Sequence, residues 1–172
     1  MKRYLFFFLF FCFVVIGFSQ NTSKVDFVIK NLGINVDGHF NSCSITTKFN
    51  ETNSQLESIS GSITVSSIET GIENRDEHLL EEDYFNSEKH KQIILKSESV
   101  TKISATEYSV KANLTIKGIT KAININVNVE NIDGSNKTSS SFEINRKDFK
   151  VGGSSFVMSN TVKINIIYYQ KL

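Results

Sequence analysis

Proline and tryptophan are absent from this chain of 172 residues, and cysteine occurs only twice. The lack of proline excludes polyproline linkers and proline-set hinges. It also suits a chain made largely of hydrogen-bonded strands, where proline would remove ladder donors. Two cysteines cannot form the framework of a disulfide-stapled fold, which needs four or more. Charge of one sign is scarce as well: the formal net charge is +1. A nucleic-acid binder would show a basic excess on its surface, so that class is excluded. With 40% hydrophobic and 22% charged residues the chain is globular rather than disordered.

What is present begins with a leader. Met1, Lys2 and Arg3 are followed by an apolar run from Tyr4 to Ile16, and then by the small residues Gly17 and Ser19. This is the pattern of a secretory signal peptide cleaved after residue 19. A run of 13 residues is too short for about 30 Å of hydrocarbon, which needs about 20. Removal of residues 1–19 leaves 153 residues as a single domain, 20–172, with a net charge of −1. Cys12 leaves with the leader. Cys43 then stands alone, read as a small buried hydrophobe rather than a nucleophile or a dimer link.

Period-two alternation dominates the rest. Tyr108, Val110, Ala112, Leu114 and Ile116 alternate with polar residues, as do Ile123, Ile125, Val127 and Val129. Successive side chains of a strand point to opposite faces, so each segment has one apolar and one wet face. The short gap at Gly118–Lys121 makes the pair an antiparallel hairpin. Similar sets at 25–29, 34–40, 45–49, 59–65, 142–144 and 162–168, with the apolar run at 93–95, give eight or nine strands. The exception is Asn74–Phe85, read as a short helix with Asn74 as N-cap and Asp76 and Glu77 in its first turn. Strands with one apolar face must close or pair to hide it, so a sandwich and a barrel both fit. The meander favours an up-and-down barrel, whose interior takes side chains or one small ligand.

Five segments then carry a family resemblance. These are Ser23–Gly33, Val36–Phe40, Arg75-Asp76-Glu77-His78-Leu79 with Asp83-Tyr84-Phe85, Leu114–Lys121, and Asn145-Arg146-Lys147-Asp148-Phe149. In this order they resemble the YceI-like family from Ser23 to Tyr168, although His90-Lys91 stands where that family usually has Tyr-Pro. The resemblance implies an all-β fold with one short helix, a lipocalin-like extended antiparallel eight-stranded β-barrel. It also implies export to the periplasm and a tunnel holding a polyisoprenoid or other long-chain lipid. Dimers are common among such proteins, so a homodimer is a further expectation.

The alternating inward faces and the resemblance together select a tunnel lining: Phe27, Phe40, Ile63, Val65, Leu80, Phe85, Leu95, Leu114, Ile125, Val127, Phe142 and Phe156. Arg75, Asp76 and His78 form the one compact polar constellation. They are read either as a head-group clamp, since Arg presents a fork of donors to phosphate or carboxyl oxygen, or as a structural cluster at the helix start. An enzyme is not expected: there is no Gly-x-Ser-x-Gly elbow and no cysteine in a catalytic context. The spacing of His39, His78 and His90 matches no zinc pattern. Gly152-Gly153 lacks the Lys-Ser/Thr of a phosphate loop, and no cofactor motif is found. The functional expectation is therefore a non-enzymatic exported lipid carrier or store. The alternative is a ligand-free β-barrel acting as an interaction or stress-response module.

Overall fold

The structure, a computed structural model, describes residues 22–171; the leader expected at residues 1–19 lies outside them. Ten strands form one sheet: β1 (Thr22–Asn31), β2 (Ile34–Phe40), β3 (Cys43–Phe49), β4 (Leu56–Thr64), β5 (Ile68–Glu69), β6 (Gln92–Lys102), β7 (Glu107–Ile116), β8 (Ile119–Ile132), β9 (Ser135–Asn145) and β10 (Met158–Lys171). Their order is β3-β4-β6-β7-β8-β9-β10-β1-β2-β5, with every neighbouring pair antiparallel. The sheet curls into a half-barrel.

The all-β class and the antiparallel, barrel-like curl agree with what the meander and the resemblance imply, but the strand count is ten rather than eight. Nine apolar sets are visible in the sequence. The tenth strand, β5, has two residues and therefore no period to read.

The alternation decides which face is inside. On β7, Tyr108, Val110, Ala112, Leu114 and Ile116 are all at most 5% exposed. Opposite them on β8, Ile123, Ile125 and Val127 pair in register with Ala112, Val110 and Tyr108. One-residue slippage would turn the whole apolar set outward, so this register is strongly specified.

The edge strand β3 curls back to meet β1 and β10 without a backbone ladder. Ser23 Oγ donates to the Cys43 carbonyl at 3.2 Å, and Cys43 Sγ donates to the Ser23 carbonyl at 3.5 Å. Further along, Thr47 Oγ1 donates to Gln170 Oε1. The seam between β3 and β1–β10 is thus held by side chains. Cys43, expected to be buried, is half-buried here as a free thiol.

The one α-helix, α1, spans Glu73–Leu80, shorter than the expected Asn74–Phe85. Its N-cap is Ile72, without a side-chain cap bond, rather than Asn74. Asp76, in the first turn, instead reaches back to the preceding segment, taking hydrogen bonds from the Thr70 N–H at 2.9 and 3.1 Å. After Glu81 the chain leaves the helix through turns that bring Phe85 edge-on to Phe40, with ring centroids 6.4 Å apart. Phe40 also meets Phe27 at 5.6 Å. This aromatic row ties β1, β2 and the segment after α1 together.

Gly38 is what lets Phe27 lie flat across β2. The two are cross-strand partners, and a Cβ at residue 38 would stand 2.3 Å from Phe27 Cζ. The ring covers the glycine, as aromatic rescue does elsewhere in sheets. Gly38→Ala should therefore destabilise the protein by about 1–3 kcal/mol through overpacking. Urea unfolding measures this. The double variant Gly38→Ala/Phe27→Leu should recover part of the loss, because the two sites are in direct contact.

Candidate functional site: an apolar channel with two lobes

The inward faces do not fill the space they enclose. Two cavities remain, of about 90 and 150 Å³. Phe40, Ile93, Ile116, Ile144 and Ile164 line both, so the two lobes adjoin, and together they are called the channel. The first lobe lies behind β3, β4 and β6, and its walls are apolar apart from the β4 segment Ser60-Gly61-Ser62. The second lies between the inner face of β1–β2 and β9–β10 on one side and α1 with its following turn on the other. Polar groups reach it at Asn31, Thr70, Arg75, Tyr84 and Arg146.

Seven of the twelve residues expected to line a tunnel face this channel. Ile63, Leu95, Leu114 and Phe142 face the first lobe, Phe27 and Phe85 the second, and Phe40 both. Val65, Ile125 and Val127 are at most 3% exposed but sit in the packed core and face neither lobe. Leu80 is half-buried and faces neither lobe, while its neighbour Leu79 faces the second. On a helix one residue is a rotation of about 100°, enough to exchange an inward side chain for an outward one. Phe156 is a clear correction. It is fully exposed, because residues 151–157 form an irregular loop that carries it away from the sheet's inner face.

The polar constellation divides. Arg75 donates from Nε to Thr70 Oγ1 at 2.6 Å and from Nη2 to the Thr70 carbonyl at 2.7 Å. Asp76 accepts from the Thr70 hydroxyl and N–H. Arg75 and Asp76 therefore grip the same residue, and Arg75 and Thr70 border the second lobe. His78 lies apart and exposed. Its Nδ1 is 2.8 Å from Glu81 Oε2, and its ring packs on Tyr84 at 4.8 Å.

Sequence reasoning missed Arg146 as a site residue. It is 4% exposed and borders the second lobe from the 3-10 turn Arg146–Phe149. Its Nε donates to the Ser159 carbonyl at 2.9 Å. Its Nη1 donates to the carbonyls of Val151, Gly152 and Gly153 at 2.8, 3.0 and 3.1 Å. Nη2 has one long bond, 3.4 Å, to Asn160 Oδ1. Burial pulls its pKa below the ordinary arginine value, with Tyr84 opposing, yet a guanidinium stays charged under such a shift. The only signal in the sequence was its place inside the Asn-Arg-Lys-Asp-Phe segment.

Comparison with known proteins agrees with this architecture. Residues 18–168 match the family profile described as YceI-like domain. A relative in Pectobacterium atrosepticum, UPF0312 protein ECA1782, is 32% identical over 102 residues. That match takes in 59% of this chain and 53% of the relative, about half its length. Among solved structures, BcnA of Burkholderia cenocepacia superposes with a TM-score of 0.80 at 22% identity, over 87% of this chain and 96% of that one. A protein of Saccharophagus degradans, described as a polyisoprenoid binding domain implicated in plant cell wall breakdown, superposes with a TM-score of 0.68. It is 16% identical, over 87% of this chain and 94% of its own.

Arg146→Met removes the donor from three adjacent carbonyls in a buried turn. The expected cost is about 1–3 kcal/mol, the penalty for leaving buried acceptors unpaired. Thermal unfolding checks it. Limited proteolysis of the variant should cut within residues 147–157 faster than in the unaltered protein, and Arg146→Lys should restore part of the resistance.

Proposed function

The chain belongs to the YceI-like family, and from that premise we propose that it is an exported, periplasmic carrier or store for a polyisoprenoid or other long-chain lipid. The observation that carries this reading is the pair of adjoining, largely apolar cavities with five apolar residues in common. The structural neighbour described as a polyisoprenoid binding domain supports it. Transfer of an apolar chain out of water contributes about 25 cal/mol per Å² buried, so a long lipid needs few polar contacts. A cavity of about 150 Å³ holds a guest the size of benzene. A chain of several isoprene units therefore lies through both lobes and leaves at an open end. Polar groups at the second lobe, above all Arg75 and Arg146, suit an oxygen-bearing head group there. The role is binding and release, with no chemical step. Among the described residues, no helix is long and apolar enough to cross a membrane.

Solvent extraction and native mass spectrometry of protein purified from a bacterial periplasm test the proposal. The expected result is a lipid adduct at stoichiometric level. Polypeptide alone in repeated preparations overturns the carrier and favours the ligand-free interaction module. Gly61→Leu supplies a second arm. Gly61 borders the first lobe between its cross-strand partners Ile45 and Leu95, and a Cβ there meets its nearest atoms at 3.8 Å, ordinary contact. The added side chain enters the lobe without straining the strand, so bound lipid should fall at least tenfold while the circular dichroism spectrum is unchanged.

A further inference from the structure

The channel's apolar stripe does not stop where the channel does. On β2 the inward residues are Phe40, Gly38, Val36 and Ile34 in succession, and they pass from buried through half-buried to 70% exposed. Beside Ile34, at the tip of the β1–β2 hairpin, Leu32 is 72% exposed. The Leu32 N–H donates to the Val157 carbonyl at 2.8 Å, which joins this tip to the loop carrying exposed Phe156 and half-exposed Val157. The four side chains adjoin Asn31 and Met158, which border the second lobe and pair with each other across β1 and β10. An apolar rim thus stands beside the Asn31–Met158 border of the second lobe.

Two further features mark the rim as built for display. Leu32 occupies the left-handed region with φ of 52°, where asparagine or glycine is the ordinary choice in a two-residue hairpin turn. A bulky apolar side chain held at such a position, and facing water, needs a reason outside the fold. Bases also outnumber acids in the two segments that carry the rim, with Asp37 next along β2 and Asp83 against Gly152 as acids just outside them. Residues 28–36 and 146–157 contain Lys30, Arg146, Lys147 and Lys150 but a single acid, Asp148. Lys30, Lys147 and Lys150 are exposed, and Lys147 Nζ reaches Ser154 Oγ at 3.5 Å in the same loop as Phe156. The acids of α1, Glu73, Asp76 and Glu77, line neither lobe and lie together on a separate surface hollow.

We propose that this rim, formed by Leu32, Ile34, Phe156 and Val157 and flanked by lysines, docks the protein onto an anionic lipid bilayer with the Asn31–Met158 border of the second lobe facing the membrane. The inference rests on the carrier reading and adds the route by which lipid enters and leaves. Apolar side chains of this kind sink about 5–10 Å into the boundary between head groups and acyl chains, while lysines beside them are drawn to anionic head groups. A second copy of the chain is a poorer occupant. Four side chains of about 150–200 Å² each expose roughly 500 Å² here, below the ~800 Å² per partner of a stable protein interface.

Because tryptophan is absent from the chain, Phe156→Trp places a single indole on the rim as a reporter. Protein recovered from the periplasm is mixed with vesicles of phosphatidylglycerol and phosphatidylethanolamine, and in parallel with phosphatidylcholine alone. The expected result is a blue shift of emission and quenching by brominated acyl chains with the anionic vesicles, weakened in 0.5 M salt. In co-sedimentation, Leu32→Ser/Phe156→Ser should bind these vesicles at least tenfold more weakly than the unaltered protein carrying the same N-terminus. Emission that stays at its water-exposed position, or equal sedimentation of the two proteins, overturns the docking surface. So does a blue shift that appears without vesicles and follows protein concentration in the ultracentrifuge, since the partner is then a second copy. Lipid extracted from the same samples separates the two claims. Bound lipid with no vesicle response leaves the carrier standing and removes the docking surface, whereas a vesicle response without extractable lipid does the reverse.

Discussion

An antiparallel meander in which every strand has one apolar face must bring those faces together, and here a single curled sheet does so with itself. That requirement governs the rest. It sets the register of β7 against β8, where a slip of one residue would expose the whole inner row. It brings the distant segments β3 and β10 close enough for Thr47 to reach Gln170. It also leaves a problem that the sheet alone does not solve, since β3 and β5 are edges. The edge at β3 is answered by side-chain bonds from Ser23 and Cys43. At the other edge, β5 leads directly into α1, whose following turn inserts Phe85 against Phe40. Edge management and filling of the open side are therefore one device.

The polar groups that enter this apolar interior are held mainly by backbone. Arg146 meets four carbonyls and one amide oxygen, and Arg75 meets both oxygens that Thr70 offers. The carbonyl cage fixes the Arg146 guanidinium without a bonded carboxylate, whereas Arg75 shares the Thr70 hydroxyl with the Asp76 carboxylate, and both arginines border the same lobe. Asp76 faces Thr70 from the same side as Arg75, so the shared residue keeps the acid and the base in place at once. The helix start and the lobe's polar border are the same piece of structure. That explains why the Arg-Asp segment admits both a structural and a binding reading from the sequence.

Much of the fold was legible because period-two alternation is a direct consequence of strand geometry. It identified nine of ten strands and placed Phe27, Phe40, Ile63, Leu95, Leu114 and Phe142 on the inner face. What alternation specifies is a face, and it says nothing of the level along the barrel at which a side chain lies. Val65, Ile125 and Val127 accordingly point inward and yet reach packed core instead of space. Helix phase explains Leu80, where the inward position belongs to Leu79. Phe156 sits in an irregular loop, and aperiodic segments carry no information about burial, so neither alternation nor the resemblance places its side chain. Arg146 fails in the opposite sense. Arginine is seldom fully buried, and nothing local announces four carbonyls converging from residues 151–159.

Whether an enclosed apolar space stays open depends on the side chains around it, and composition of the wall is the relevant variable. Eight of the 16 residues around the first lobe are isoleucine. Isoleucine is branched at Cβ and confined at χ1, so it cannot swing across a gap in the way that methionine does. The one methionine on the channel, Met158, borders the second lobe next to the exposed rim. Close packing is the default of protein interiors, and voids cost stability in proportion to their volume. A sheet with stiff branched walls and a glycine at residue 61, where a larger side chain would fit without strain, has forgone that stability at several independent positions. Selection for folding alone would fill the lobe at Gly61 and replace Leu32 at the hairpin tip with asparagine. The sequence does neither, and the two departures lie on the channel and on the rim beside it.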